Sequence, residues 1–158
     1  LSLSVKREVV VGYQPEEMQI IGNHLYVANS GGYRFPNYDR TVSVVDLNSF
    51  KETKKIDVAI NLHHIEKDNY GDLYVSSRGN YYDISSSLFL VDPISGTVKK
   101  DFKIAVSEMT IVNDKLYYFG NDFNYNTNTS SKSFGIIDVK TEQIISNKII
   151  DQQYADEI

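Results

Sequence analysis

The chain has 158 residues, 41% hydrophobic and 23% charged, which suits one compact globular unit and sets aside disordered, collagen-like and coiled-coil classes. Its net charge of −5 lacks the basic excess of a nucleic-acid footprint, so no nucleic acid is expected as a partner. With no Cys there are no disulfides, thiolate metal sites or cysteine nucleophiles; no apolar run nears 18 residues, and Leu1 to Arg7 lacks the basic-then-apolar order of an export signal.

In chain order, Val5 to Val11, before Gly12-Tyr13-Gln14-Pro15, reads as the outer strand of a preceding sheet. Three similar stretches follow. Met18 to Ile21, His64 to Lys67 and Met109 to Val112 each open one, and the turns Gly22-Asn23, Asn69-Tyr70-Gly71 and Asn113-Asp114 are of the kind that closes hairpins by accepting positive φ. Next come the phrases starting His24-Leu25-Tyr26-Val27, Asp72-Leu73-Tyr74-Val75 and Lys115-Leu116-Tyr117-Tyr118. After a long loop a third strand ends in Asp46, Asp92 and Asp138, so both intervals are 46 residues (92 − 46 and 138 − 92). A fourth strand is expected over Lys51 to Val58, Val98 to Ile104 and Ile144 to Ile150. It is Lys-rich in the first two copies, as suits an exposed edge.

The second and third strands are apolar at successive positions, which implies burial on both faces. Four strands per period of this length are the mark of a β-propeller, here all-β with about three four-stranded antiparallel blades, a partial propeller. The expected division is residues 1–15 as the outer strand of a preceding blade, blades over 16–60, 61–106 and 107–151, and 152–158 starting the next connection. Rings usually take about four to eight blades, so the remaining blades are expected from the rest of a longer chain or from self-association.

In such a fold the loops between second and third strands, and the connections between blades, emerge on one face. The first loop, Gly31 to Arg40, carries Tyr33, Arg34, Phe35 and Tyr38; the second, Gly79 to Ser86, carries Tyr81 and Tyr82 just after Arg78; the third, Asn121 to Ser133, carries Phe123 and Tyr125. Rings among amides and carboxylates suit stacking on a sugar or other planar ligand. The plainer reading is that long loops pack their own rings and use Asn, Asp and Ser for turns. Arg34 and Arg78 could grip a carboxylate or phosphate, or serve as structural partners.

Asn61 and His63 lie in the connection Ala59 to His64. Adjacent strand positions face opposite ways, so His63 and His64 are not expected to chelate a metal together. One His is expected at the channel mouth near Glu108 and Glu16 or Glu17; satisfying backbone carbonyls is the alternative. Asp46, Asp92 and Asp138 are expected to hold turns, and His24 to be structural. No cofactor is expected, and no phosphate loop, metalloprotease helix or nucleophile elbow is present. Asn128-Thr129-Ser130 matches a glycosylation triplet.

Leu25 to Ser30 with Thr41 to Leu47 resembles the YVTN repeat of surface-layer-type β-propellers, a likeness that runs over essentially the whole chain. Leu25 to Asp46, with Ile60-Asn61-Leu62-His63 and Tyr74 to Gly79, resembles the DUF5074 group of exported Bacteroides propellers. That resemblance implies an extracytoplasmic lipoprotein, at the outer membrane, cell surface or periplasm, that captures a small molecule of cobamide type or a glycan beside an outer-membrane transporter. The third repeat departs, with Tyr118-Phe119-Gly120, so a site on those positions would be asymmetric. A protein-interaction scaffold is the alternative, and a lyase or lactonase using His63 or His64 is less favoured.

Overall fold

The computed structural model describes residues 4–147. The expected strand positions 148–150 and the closing connection 152–158 lie outside the described residues. β1 (Pro15–Ile21), β2 (His24–Asn29), β3 (Thr41–Asp46) and β4 (Lys51–Asp57) form one sheet in that order. β5 (Leu62–Lys67), β6 (Leu73–Ser77), β7 (Ser87–Asp92) and β8 (Thr97–Asp101) form the second, and β9 (Glu108–Val112), β10 (Lys115–Asn124), β11 (Thr129–Asp138) and β12 (Gln143–Ser146) the third. All neighbours pair antiparallel. These are three four-stranded blades.

The hairpin turns take the backbone their residues favour, with positive φ at Gly22, Gly71, Asn113 and Asp114. Each third strand ends in a turn held by its Asp. Asp46 Oδ1 accepts from Ser49 N, Asp92 Oδ1 from Ile94 N, and Asp138 Oδ1 from Thr141 N. A register shift recurs just before each of those turns, at Val44/Val45, Leu90/Val91 and Ile136/Ile137, so the outer strand leaves the pairing plane at the same point in every blade.

Successive apolar positions on the middle strands feed two different cores. Tyr26, Ala28, Val42, Val44 and Ile56 of the first blade pack on Leu62, Ile65, Leu73, Val75 and Val91 of the second. The opposite face of the second blade, through Tyr74, Leu88, Leu90 and Phe102, packs on Val106, Leu116, Tyr118 and Ile137 of the third. Each fully buried Leu or Ile contributes about 1.5–3 kcal/mol. The central blade is therefore clamped between two hydrophobic seams.

A cation on the outer strand crosses each seam as well. Lys54 donates to the carbonyls of Pro93 and Ile94, and Lys100 to that of Glu142. Arg7 lies one period earlier (54 − 7 = 47, against 100 − 54 = 46) and reaches the carbonyl of Asn48, its guanidinium 5.5 Å from the Phe50 ring.

Two expectations are corrected. Val5 to Val11 forms no strand, although Arg7 puts the segment where an outer strand would lie; among the described residues no inner strand is beside it to complete a ladder. The third loop is not a loop from Asn121 to Ser133. Ladder pairs continue from Lys115↔Asp138 to Asn124↔Thr129, leaving only Tyr125 to Asn128 as the turn, because this polar stretch pairs with itself in register.

Candidate functional site

The three loops converge. Phe35 meets Tyr38 at 6.0 Å between ring centroids and Tyr82 at 5.8 Å; Tyr82 meets Tyr125 at 5.5 Å, and Tyr125 meets Phe123 at 4.8 Å and Tyr81 at 6.2 Å. Rings from all three blades thus make one continuous cluster at one end of the molecule. They spend much of their surface on each other, as self-packed loops would, yet Phe35 and Tyr125 remain about 60% exposed (59% and 61%).

Two glycines set where the first two loops leave their strands. Gly31 and Gly79 have φ of +57° and +62°, and a Cβ there would sit 2.2 Å from Asp39 N and 2.0 Å from Ile84 O. Any side chain would both strain the backbone and push the returning arm of the loop away. Asp39 then fastens the first loop. Burial alone would raise its pKa, but donation from Tyr13 N, the Thr41 hydroxyl and the amides of Arg40 and Thr41 holds it below the usual carboxylate range.

Asn61 is the keystone between the first two blades. Its amide N donates to Asp39 O, its side-chain Nδ2 to Gly79 O, and its carbonyl accepts from Arg78 N. It is 2% exposed, and among the described residues its Oδ1 has no partner. Beside it opens a cleft of about 340 Å³, lined by Gln14, Glu16, Gly32, Tyr33, Asn61, Arg78 and Tyr81. Glu16 Oε1 accepts from Ser30 Oγ at 2.8 Å and lies 3.7 Å from Arg78 Nη1. Gln14 Oε1 accepts from Tyr33 N at 2.5 Å, which leaves the Tyr33 ring standing free at 95% exposure.

Of the residues singled out from the sequence, Tyr33, Asn61, Arg78 and Tyr81 line this cleft. Phe35, Tyr38, Tyr82, Phe123 and Tyr125 form the ring cluster next to it. Arg34 joins neither group; its guanidinium is stacked 3.6 Å over the Tyr13 ring. Gln14 and Glu16 were not singled out as cleft residues. The repeat held a signal for Gln14, which precedes Asn61 by one period (61 − 14 = 47) and shares its positive φ, 49° against 55°.

At the inner strands, His64 occupies the place expected of a channel histidine. Nδ1 is 2.9 Å from Glu17 Oε2, and Glu108 Oε2 is 3.2 Å from Nε2 but off the line of a hydrogen bond. One imidazole therefore links β1, β5 and β9. His63 is the neighbour and not the bridge. The two rings are not on opposite faces, as alternation predicted: their centroids are 4.0 Å apart, because the register shift between Leu62 and Ile65 breaks alternation at that point. His63 Nδ1 is buried without a partner among the described residues. Burial, reinforced by the charges of Arg78 and His64 and opposed by those of Glu16 and Glu108, pushes its pKa down to about 4. Among the described residues no group of three or more acidic or His side chains is arranged to hold a metal, and no helix is long and apolar enough to cross a membrane.

No protein-family model and no curated protein matches the chain. Solved structures do. The hydrazine synthase of Kuenenia stuttgartiensis matches with a TM-score of 0.61 and 19% identity, over 83% of this chain and 35% of that one. The WD40 domain of Neurospora crassa Pan2 matches at 0.57 and 13% identity, over 86% and 38%, and the β-propeller domain of Myceliophteria thermophila Cps50 (Swd1) at 0.53 and 12%, over 93% and 58%. At such identities the likeness establishes the fold, a β-propeller, and nothing of function. The chain spans about a third to three fifths of the length of these proteins.

Proposed function

We propose that the loop end of this propeller is a ligand-capturing face, and that the chain belongs to an exported, surface-attached protein of the YVTN-like, DUF5074-like kind that holds a small molecule or glycan for an outer-membrane transporter. One observation carries the binding part. The seam between the first and second blades opens into a cleft whose lining combines a freely exposed Tyr33, the Glu16–Arg78 pair and the unpartnered buried oxygen of Asn61. Buried polar atoms are ordinarily satisfied, and a concave site with a few convergent polar groups is the default place for a ligand. Export and the transporter partner rest on the sequence resemblance alone.

Calorimetry of the full-length natural chain against cobamides, beginning with cyanocobalamin, and a panel of glycans tests this reading. Heat from at least one is expected; silence from all would overturn it. A protein-interaction scaffold is the second reading, favoured by the exposed rings Phe35, Tyr82 and Tyr125, since aromatic residues dominate the energetics of protein interfaces. A purified partner whose binding is abolished by Phe35→Ala and Tyr125→Ala together, with no small-molecule heat, would select it.

A further inference from the structure

We infer that the cleft between the first two blades takes one uncharged sugar ring, recognised through its hydroxyl groups, and does not take an anion or a corrin. This rests on the ligand-capturing reading and narrows it. The lining lacks a donor for one of its own acceptors. Asn61 Oδ1 is an acceptor, 2% of its residue is exposed, and the only partnered half of that amide is Nδ2, spent on Gly79 O. The oxygen is buried beside Gly32, another lining residue, whose Cβ position would be 3.6 Å from it. It calls for an O–H or N–H donor. A carboxylate or phosphate brings only lone pairs to that oxygen and would be repelled.

Arg78 is the one cation among the lining residues, and it already faces Glu16 at 3.7 Å, with Glu16 itself fixed by Ser30 Oγ. An anion reaching Arg78 would come up against that carboxylate, within a chain whose net charge is −5. An amine would satisfy Glu16 and Asn61 but meet Arg78. A hydroxyl is donor and acceptor at once, so neighbouring hydroxyls of a sugar can donate to Asn61 Oδ1 and Glu16 and accept from Arg78 without disturbing the pair. The apolar face of the ring then has Tyr33, which among the described residues packs on no other ring, and Tyr81, which meets Tyr125 edge-on. Volume agrees: about 340 Å³ is at the floor of the range for small-molecule sites, enough for one pyranose and too small for a macrocycle.

The test is an NMR titration of the labelled natural chain with methyl glycosides of glucose, galactose, mannose and N-acetylglucosamine, set beside glucuronate, glucosamine and cyanocobalamin. At least one neutral glycoside should shift the Asn61 side-chain amide and Gly32. Tyr33→Ala, at a ring 95% exposed, should weaken that binding by about five- to tenfold. Glu16→Gln should weaken it too, and at the same time admit glucuronate by freeing Arg78. Glucuronate, glucosamine or cyanocobalamin shifting Asn61 in the unmodified chain, or a neutral glycoside binding without moving Asn61 and Gly32, would overturn the inference while leaving capture at this face intact. No response to any probe, together with calorimetric silence, would remove both.

Discussion

Two seams join the same kind of blade to its neighbour, and at the loop end they differ. Between the second and third blades the rim is stitched: Tyr125 N donates to Tyr81 O at 2.8 Å, Asn124 Nδ2 to Tyr82 O at 2.6 Å, and Ser86 offers both its amide and hydroxyl to Asp122 Oδ1. Between the first and second blades the Phe35–Tyr82 ring contact is set beside the Asn61 keystone, and a cleft opens. The strands below are alike in both places. What separates a closed seam from an open one is hairpin length, because β10 and β11 continue pairing for ten residues each and carry their turn over the loop of the second blade. A repeat can thus keep its core constant while a few added ladder pairs decide which seam is accessible.

The harshest way to break the comparison is Gly79→Val, at the root of the loop that borders both seams. A β-branched residue at φ +62°, with Cβ 2.0 Å from Ile84 O, should cost about 3 kcal/mol or more and erase the difference between the seams; thermal unfolding reads it. A smaller effect is carried by His63. Its folded pKa of about 4 is below the 6.5 of the free side chain, so the unfolded chain takes up a proton that the folded chain refuses. Stability from this residue is present above 6.5 and lost progressively as pH falls to about 4, by on the order of 2 kcal/mol after allowance for solvent screening. His63→Gln should flatten denaturant midpoints across that window. Asp39, held low, acts in the same direction but further down, losing its contribution only as pH falls through its own depressed pKa.

Next comes Asp122→Ala, which removes both bonds to Ser86 and should cost about 1–2 kcal/mol. Hydrogen exchange should quicken at Tyr81 to Ser86 and not at Asn61, sharpening the contrast by loosening only the closed seam. The least effect on stability is expected from Tyr33→Ala, within about 0.5 kcal/mol, since the ring is almost wholly in solvent; its consequence should be confined to binding at the open seam.

The sequence carried the blades, the 46-residue spacing, the turn-holding Asp residues and the convergence of the tyrosines, because these follow from periodicity and turn chemistry. It did not carry the identity of the bridging histidine. His63 and His64 are chemically alike, and the choice between them is made by a register shift between Leu62 and Ile65 that no local pattern announces. Nor could composition tell that Asn121 to Ser133 would pair with itself: Asn, Asp and Ser are loop residues by preference, and the continuing ladder overrides that preference. Glu16 and Gln14 entered the cleft through packing between blades, which is not a property of either segment alone. Arg34, conversely, looked free in sequence and is stacked on a Tyr13 that nothing nearby flags.

Loops from three blades meet at one opening, open on one side of the middle blade and closed on the other. Ring-to-ring nuclear Overhauser contacts in a Tyr- and Phe-labelled sample test this arrangement most directly. Cross-peaks joining Phe35 to Tyr82 and Tyr82 to Tyr125, whose centroids are 5.8 and 5.5 Å apart, together with slow exchange of the Tyr125 amide, are the predicted result. Rings of the three loops that share no contact, or a Tyr125 amide that exchanges as fast as an exposed one, would contradict it.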